Sequence, residues 1–407
     1  MSRVVVTGLG CVTPIGQSPK ALWEALMTGK SGAAAVRSFD TRDMDRHVGC
    51  EIRSWRPRAN WRVPVVHGNN EGRATALACD SAQQAITDAG LASRLVSRMA
   101  VCVGTTMNEA FNGVNSRFTS VQVNGRRPKP NAFSSIVMNR IAHHLAKQFR
   151  MEGQAITIPT ACAAGNYAIA HGRDLIMRGK AHLVLAGGTD AFSRIAFIGF
   201  ARLQAMSPDV CRPFDRNRQG LLVSEGSAFL VLEDAEHARK RGAQVYAEIL
   251  GCGLSCDGYH IAAPHPRGIG AAIAMQRALQ QAQLAKDDVD YINAHGTGTW
   301  ANDRMETAAI KRVFGKSAAG IPVSSIKAVL GHTMGAASAI EAVASCLAIL
   351  HKTLPPTWHY EEPDPTCDLD YVPNQPRRMR RLNVILSNSF AFGGNNACLV
   401  ISRHRRR

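Results

Sequence analysis

Cys162 stands in Ile158-Pro159-Thr160-Ala161-Cys162-Ala163-Ala164-Gly165. A β-branched run (Ile156, Thr157, Ile158) stops at Pro159, and a helix-compatible stretch follows from Tyr167 to Arg173. The pattern is strand, tight turn, cysteine, helix. A thiol at a helix N-terminus faces unpaired backbone N–H groups and the positive end of the helix dipole, which favour thiolate. Its small neighbours leave room for a bulky substrate. Taken alone, a cysteine among alanines is more often an inert core residue. Three distant segments reverse that balance. They are Ile292-Asn293-Ala294-His295-Gly296-Thr297-Gly298-Thr299; Ser324-Ser325-Ile326-Lys327-Ala328-Val329-Leu330-Gly331-His332; and Leu386-Ser387-Asn388-Ser389-Phe390-Ala391-Phe392-Gly393-Gly394-Asn395-Asn396. Each puts polar residues where a strand gives way to a glycine-bearing turn, the setting in which sites are built on a rigid scaffold. One cysteine and two histidines so placed form a nucleophilic constellation.

The elements that must position these residues alternate along the chain. Strand-like runs fall at 4–6, 100–103, 155–158, 183–186, 228–232, 289–292, 384–386 and 397–401, and helix-like runs at 74–89, 165–179, 271–284 and 334–350. This is an α/β layered pattern. His182-Leu183-Val184-Leu185-Ala186 is apolar on both faces, as in a sheet covered on each side. The 407 residues contain 11 cysteines without paired zinc spacing, so neither disulfide staples nor a zinc site is expected. No apolar run of about 18 residues and no signal-peptide segment is visible, which predicts a cytoplasmic protein without membrane insertion. The formal charge is +17, but it is dispersed, without aromatic-basic interleaving, which argues against nucleic acid. Basic clusters (Arg53, Arg56, Arg58, Arg62; Arg126, Arg127, Lys129; Arg377, Arg378, Arg380, Arg381) suit an acidic partner instead.

The chain resembles the elongating, Cys-His-His type of β-ketoacyl-acyl carrier protein synthase, in the thiolase superfamily. The likeness runs from Val4-Val5-Val6-Thr7-Gly8-Leu9-Gly10 through Gly187-Gly188-Thr189-Asp190, Arg212-Pro213-Phe214-Asp215 and Leu230-Val231-Leu232-Glu233 to Phe392-Gly393-Gly394. It implies a five-layered αβαβα fold of two pseudo-repeated halves, near 1–250 and 251–407. The implied reaction is decarboxylative Claisen condensation. Cys162 takes an acyl chain from a carrier protein, and the enolate of malonyl-carrier protein attacks it. The N–H groups of Cys162 and Phe392 are the implied oxyanion hole, and His295 and His332 the donors to the malonyl carbonyl. Lys327 and Glu306 are expected to form an ordering pair. Asn293, Glu341, Ser387 and Asn388 match a set of oxygen donors for a monovalent cation; no other cofactor is implied. Thr297 and Thr299 are expected along the phosphopantetheine arm. The implied partners are an acidic acyl carrier protein and a second thiolase-fold subunit, either another copy or a chain-length-factor-like chain, with Ala155–Ile158 as the interface strand.

Several positions depart from the housekeeping pattern. Ala391 replaces the glycine between the two phenylalanines, Asn395 follows the glycine pair, and Trp300 and Asn302 replace proline and glycine. Met107 is expected near the acyl pocket and Ala262-Ala263 near the tunnel mouth. These changes spare the catalytic side chains and suggest a specialised polyketide or polyene synthase, with housekeeping fatty-acid elongation as the alternative. A degradative thiolase would need a second catalytic cysteine, a starter synthase would lack the His332 motif, and a non-catalytic partner subunit would lack Cys162.

Overall fold

The computed structural model describes residues 2–56, 72–109 and 139–404. Arg58, Arg62, Arg126, Arg127 and Lys129 of the basic clusters lie outside the described residues. Among the described residues ten strands hydrogen-bond in one continuous order: β1 (Val4–Val12), β2 (Ala100–Gly104), β3 (Ala155–Ile158), β4 (Leu183–Asp190), β5 (Gly226–Asp234), β6 (Ala247–Cys256), β7 (Tyr291–Asn293), β8 (Val323–Ser324), β9 (Val384–Phe390) and β10 (Asn395–Ser402). The spatial order is β8-β7-β9-β10-β6-β1-β5-β4-β2-β3. It divides into two sets of five, joined where Val5 and Val6 of β1 meet Glu248 and Ala247 of β6.

The two sets have one plan. In the first, β2 runs parallel to β3 and β4, while β5 is antiparallel to both β4 and β1. In the second, β7 runs parallel to β8 and β9, while β10 is antiparallel to both β9 and β6. Taken in chain order, β1 to β5 match β6 to β10 one for one. The repeat lies in direction and connection rather than in side chains, which is why the sequence conceals it.

Helices fill the layers in the same way. On the outer faces, α1 (Arg73–Asp88) lies on β1 and β5, and the later pair α3 and α4, described below, occupies the corresponding place. After β3 comes α2 (Ala164–Met177), which packs on β4 and β2. Beyond β6, α3 (Ile269–Ala282) covers β6 and β10, and α4 (Trp300–Phe314) packs against α3. The last helix, α5 (Ala337–His351), touches α2, β5 and β9, so α2 and α5 form the central layer between the two strand sets. The result is the expected five-layered α/β, thiolase-like body. The segment Met334–His351 corrects the sequence reading on one point: it is 18 residues long with a mean hydropathy of 1.5. It is 89% buried inside the fold and so is a core helix.

The central layer brings two strand-to-helix turns together, and small residues permit the approach. A Cβ on Gly104 would lie 2.3 Å from the Ala164 backbone, and one on Gly335 would lie 2.6 Å from the Thr105 backbone. One on Gly165 would fall 2.7 Å from the Ala339 nitrogen. At the far edge of the sheet, β3 pairs only with β2 among the described residues, and all four of its residues are half-buried. Gly104→Ala should therefore push the end of β2 away from the start of α2. The expected cost is about 1–3 kcal/mol, as for other overpacked sites, read as a lower urea midpoint. An unchanged midpoint would mean that this contact does not constrain the fold.

Candidate active site

A short 3₁₀ turn, Ala161–Ala163, carries Cys162 into the first turn of α2, with Ala161 held at φ +51°. His295 follows β7, and His332 precedes the turn into α5. The Cys162 sulfur and one ring nitrogen from each histidine lie within 4.8 Å of one another, and all three residues are buried. The imidazole rings are 5.4 Å apart at 83°. The three side chains that the sequence singled out therefore meet at one point, delivered by the turns of both halves.

His332 has a defined tautomer. Its Nδ1 accepts the Met334 backbone N–H at 3.1 Å, so Nε2 carries the ring proton and is a donor. Burial and the charge of Lys327 hold both imidazoles well below the usual histidine range, so both are neutral. His295 is not locked in this way, because its Nδ1 has no hydrogen-bond partner among the described residues. The tautomer of His332 also argues against a zinc site. Ligation through Nε2 would put a proton on Nδ1, facing the Met334 N–H.

Helix position does not make Cys162 a resting thiolate. Burial pushes its thiol up to about 12, opposed by the Lys327 charge and by the N–H groups of Cys162 and Phe392. Desolvation outweighs the stabilisation read from the sequence. The effect of those two N–H groups on the thiol puts both beside the reacting sulfur. Phe392 sits where β9 turns back to β10, with Gly393 at φ +76° and Gly394 at φ +74°. Gly393 donates to the Ile261 carbonyl at 2.7 Å, and the Phe392 ring lies 5.4 Å from Phe200. Ala391 has φ −118°, extended backbone open to any residue, so the alanine imposes no strain there.

The expected Lys327–Glu306 pair does not form. Lys327 is paired with Glu341 of α5, both almost fully buried. Glu306, on α4, accepts the backbone N–H groups of His295 at 2.9 Å and Gly296 at 2.8 Å, fixing the histidine loop. The two acids serve different faces of the strand set: α5 lies in the central layer with Lys327, α4 on the outer side. Burial raises both carboxyls to about 7, with Lys327 opposing the shift in Glu341.

The four expected cation donors also divide. Asn293 and Ser387 are register partners across parallel strands, so their side chains share a face. Asn293 Oδ1, Ser387 Oγ and Glu341 Oε2 are buried without hydrogen-bond partners among the described residues. Asn388, the next residue on β9, turns to the opposite face, where its Nδ2 reaches Glu306 and Met275. It does not belong to the same oxygen set.

A cavity of about 410 Å³ opens from Cys162 to the surface and is lined by His295, His332, Thr297, Thr299, Trp300, Phe390, Ala391, Phe392, Ala262 and Ala263. Met107 does not line it and packs instead against the cluster of Phe192, Phe197 and Met334. Sequence reasoning gave no role to Asp190, which ends β4. Its buried carboxylate accepts from Thr105 Oγ1 and from the N–H groups of Thr106, Met107 and Gly335, joining the β2 loop to the His332 turn. An acid closing the glycine-rich strand Gly187-Gly188-Thr189-Asp190 was the available signal.

Family models for the β-ketoacyl synthase N-terminal domain and C-terminal domain match residues 1–238 and 246–361. The chain belongs to the β-ketoacyl synthase family. It is 38% identical over 412 residues to 3-oxoacyl-[acyl-carrier-protein] synthase 2 of Coxiella burnetii, covering 98% of each chain. The ishigamide ketosynthase/chain length factor structure superposes with a TM-score of 0.93 at 40% identity, over 99% of this chain and 100% of that one. A type II polyketide acyl-carrier protein in complex with its ketosynthase gives 0.90 at 32% identity, over 99% and 100%. The chain is thus a thiolase-fold acyltransferase, and Cys162, His295 and His332 converge within a β-ketoacyl synthase body.

Removing Lys327 should expose the true pairing. Lys327→Ala leaves Glu341 buried without its cation and should cost about 3–5 kcal/mol in urea unfolding. A double-mutant cycle with Glu341→Gln should show strong coupling, larger than the cycle with Glu306→Gln. The reverse order would restore the Lys327–Glu306 assignment.

Proposed function

We propose that this enzyme condenses malonyl-carrier protein, with loss of CO₂, onto an acyl chain held by Cys162, giving a 3-oxoacyl-carrier protein two carbons longer. The observation that carries this reading is one thiol within reach of two neutral imidazoles and two backbone amides at the base of a single cavity. In the first half-reaction Cys162 Sγ attacks the acyl thioester, a new C–S bond forms, and the bond to the carrier sulfur breaks. The N–H groups of Cys162 and Phe392 take the developing oxyanion. The thiol proton must leave as the sulfur attacks. His332 Nε2 already carries a proton, so His295 accepts it and returns it to the departing carrier thiol.

In the second half-reaction the malonyl thioester carbonyl accepts hydrogen bonds from His332 Nε2 and His295. Loss of CO₂ gives an enolate whose carbon attacks the acyl-Cys162 carbonyl, and the cysteine sulfur leaves. Lys327 assists by keeping both imidazoles uncharged, which preserves them as donors to a developing negative charge. Asn293, Glu341 and Ser387 would hold a monovalent cation, supported by their three unpartnered buried oxygens. Bound there, it would supply positive charge behind the His295 loop. Thr297 and Thr299, 2.9 Å apart through their hydroxyls in the cavity wall, suit the phosphopantetheine arm.

The acyl donor arrives on an acidic carrier protein, in keeping with the +17 charge and exposed Arg56. The edge of β3, unpaired among the described residues, suits a second thiolase-fold subunit, another copy or a chain-length-factor-like chain. A reducing cytoplasm suits a buried thiol nucleophile and 11 free cysteines. Ala391, Asn395 and Trp300 around the gate and mouth support a specialised polyketide or polyene substrate.

Intact-mass analysis should show acyl transfer to the wild-type chain and none to Cys162→Ala. His332→Ala should acylate at near wild-type rate and His295→Ala more slowly, while both lose condensation by about 10²–10⁴-fold. Near wild-type condensation by either variant would remove that histidine from the mechanism. In competition, a polyenoyl-carrier protein should acylate Cys162 in preference to a saturated chain of equal length, because a rigid chain loses less entropy on entry. Preference for the saturated chain would return the enzyme to fatty-acid elongation.

A further inference from the structure

Trp300 and Arg218 form a pair that the chemistry at Cys162 does not use. Arg218 is fully buried. Its Nη1 donates to the Asp215 carbonyl at 2.7 Å and to Asp364 at 2.6 Å, and its Nε lies 3.7 Å from Asp303. Nε and Nη2 have no hydrogen-bond acceptor among the described residues. The guanidinium carbon instead lies 4.2 Å from the centroid of the Trp300 ring. A desolvated cation against an indole face is the strongest setting for such a contact.

Trp300 is nevertheless 52% exposed and lines the cavity that leads to Cys162. An exposed indole ordinarily moves among rotamers, whereas this one is held from behind by a buried charge. Asp303, which faces Arg218, also accepts the N–H groups of Phe214 at 2.7 Å and Gly298 at 3.3 Å. The turn that leads into Trp300, the first residue of α4, is thereby tied to the same ion cluster. Thr299, the preceding residue, caps α4 with its hydroxyl and lines the same wall. Leu203, 54% exposed, also lines the cavity. The outcome is a fixed apolar plane at the mouth, with one face covered by Arg218 and the other open.

Arg218 already occupies the inner face of the ring, which leaves the outer face for a ligand. A flat, uncharged amide stacks on the indole and keeps its N–H and C=O free for water or for the threonine hydroxyls. A substrate group that fills the cavity between Cys162 and the surface runs along a wall that includes Trp300. We propose that Trp300, clamped by Arg218, is a positioning surface for the amide-bearing arm on which the thioester is carried. It sets a preference for full-length pantetheine thioesters over truncated ones. This inference rests on the ketosynthase reading above.

The test compares acylation of Cys162 by one acyl group carried on pantetheine or on N-acetylcysteamine, which lacks the arm's second amide and its geminal methyl groups. The ratio of the two kcat/KM values should fall about tenfold in W300A, through KM rather than kcat, and equally in W300L, which keeps bulk without an aromatic face. W300F should restore the ratio to within about twofold of wild type. An unchanged ratio in W300A and W300L, or a W300F ratio equal to that of W300A, would overturn the proposal while leaving the ketosynthase reading intact. Failure of the wild-type enzyme to acylate Cys162 from either thioester would overturn both.

Discussion

A thiol and two imidazoles from opposite halves of this chain can meet only because the backbones between them touch. Gly104, Gly165 and Gly335 stand where a side-chain carbon would fall within 2.7 Å of another backbone atom. Interiors pack too densely to absorb such an overlap without moving the elements themselves. The start of α2, the end of β2 and the turn into α5 therefore form one rigid junction. Ser389 and Ser338 close it by donating to the Cys162 carbonyl at 3.0 and 3.4 Å. Everything that follows chemically depends on this crossing of small residues.

Around the junction, buried charges set protonation states without joining the reacting atoms. Burial, aided by the charge of Lys327, keeps the two imidazoles uncharged, and Lys327 is itself paired with Glu341. Glu306 and Asp190 use their oxygens on backbone N–H groups and so hold the His295 and His332 turns in place. A buried charge is costly unless fully paired, and here each is paired with a structural target. The same burial keeps Cys162 protonated at rest. Reactivity then comes from proton transfer to a neighbour as the sulfur attacks, rather than from a standing thiolate. This division also separates the histidines: the amide of Met334 commits one to donation and leaves the other able to exchange a proton.

The reacting residues were legible in the sequence because each lies in a short motif with its own turn chemistry. Partners across the fold were not. The family resemblance implied that Lys327 pairs with Glu306, yet the layer order puts Glu341 on the lysine's side. Ser387 and Asn388 look like one donor set until strand alternation turns them apart. Strand β6 escaped periodicity analysis because Gly251 and Gly253 interrupt it. Those glycines admit the backbone of α3, from whose Ala278 and Ala274 oxygens a Cβ would lie 2.4 and 1.8 Å. Helix α4 was missed as well, since Asn302, Asp303 and Glu306 point inward to serve loops and leave it no clean apolar stripe. The two-fold repeat of the sheet was invisible because it is carried by strand direction and connection rather than by side chains.

The central claim is that one acyl-Cys162, flanked by two neutral histidines, accepts a carbon nucleophile made by decarboxylation in the same cavity. Single-turnover reaction of the pre-acylated enzyme with malonyl-carrier protein labelled in its free carboxyl carbon tests this most directly. The account predicts one labelled CO₂ and one 3-oxoacyl product for each acyl-Cys162 consumed, with the label absent from the product. Labelled CO₂ released without a new carbon–carbon bond, or product formed while Cys162 remains acylated by the original chain, would contradict it.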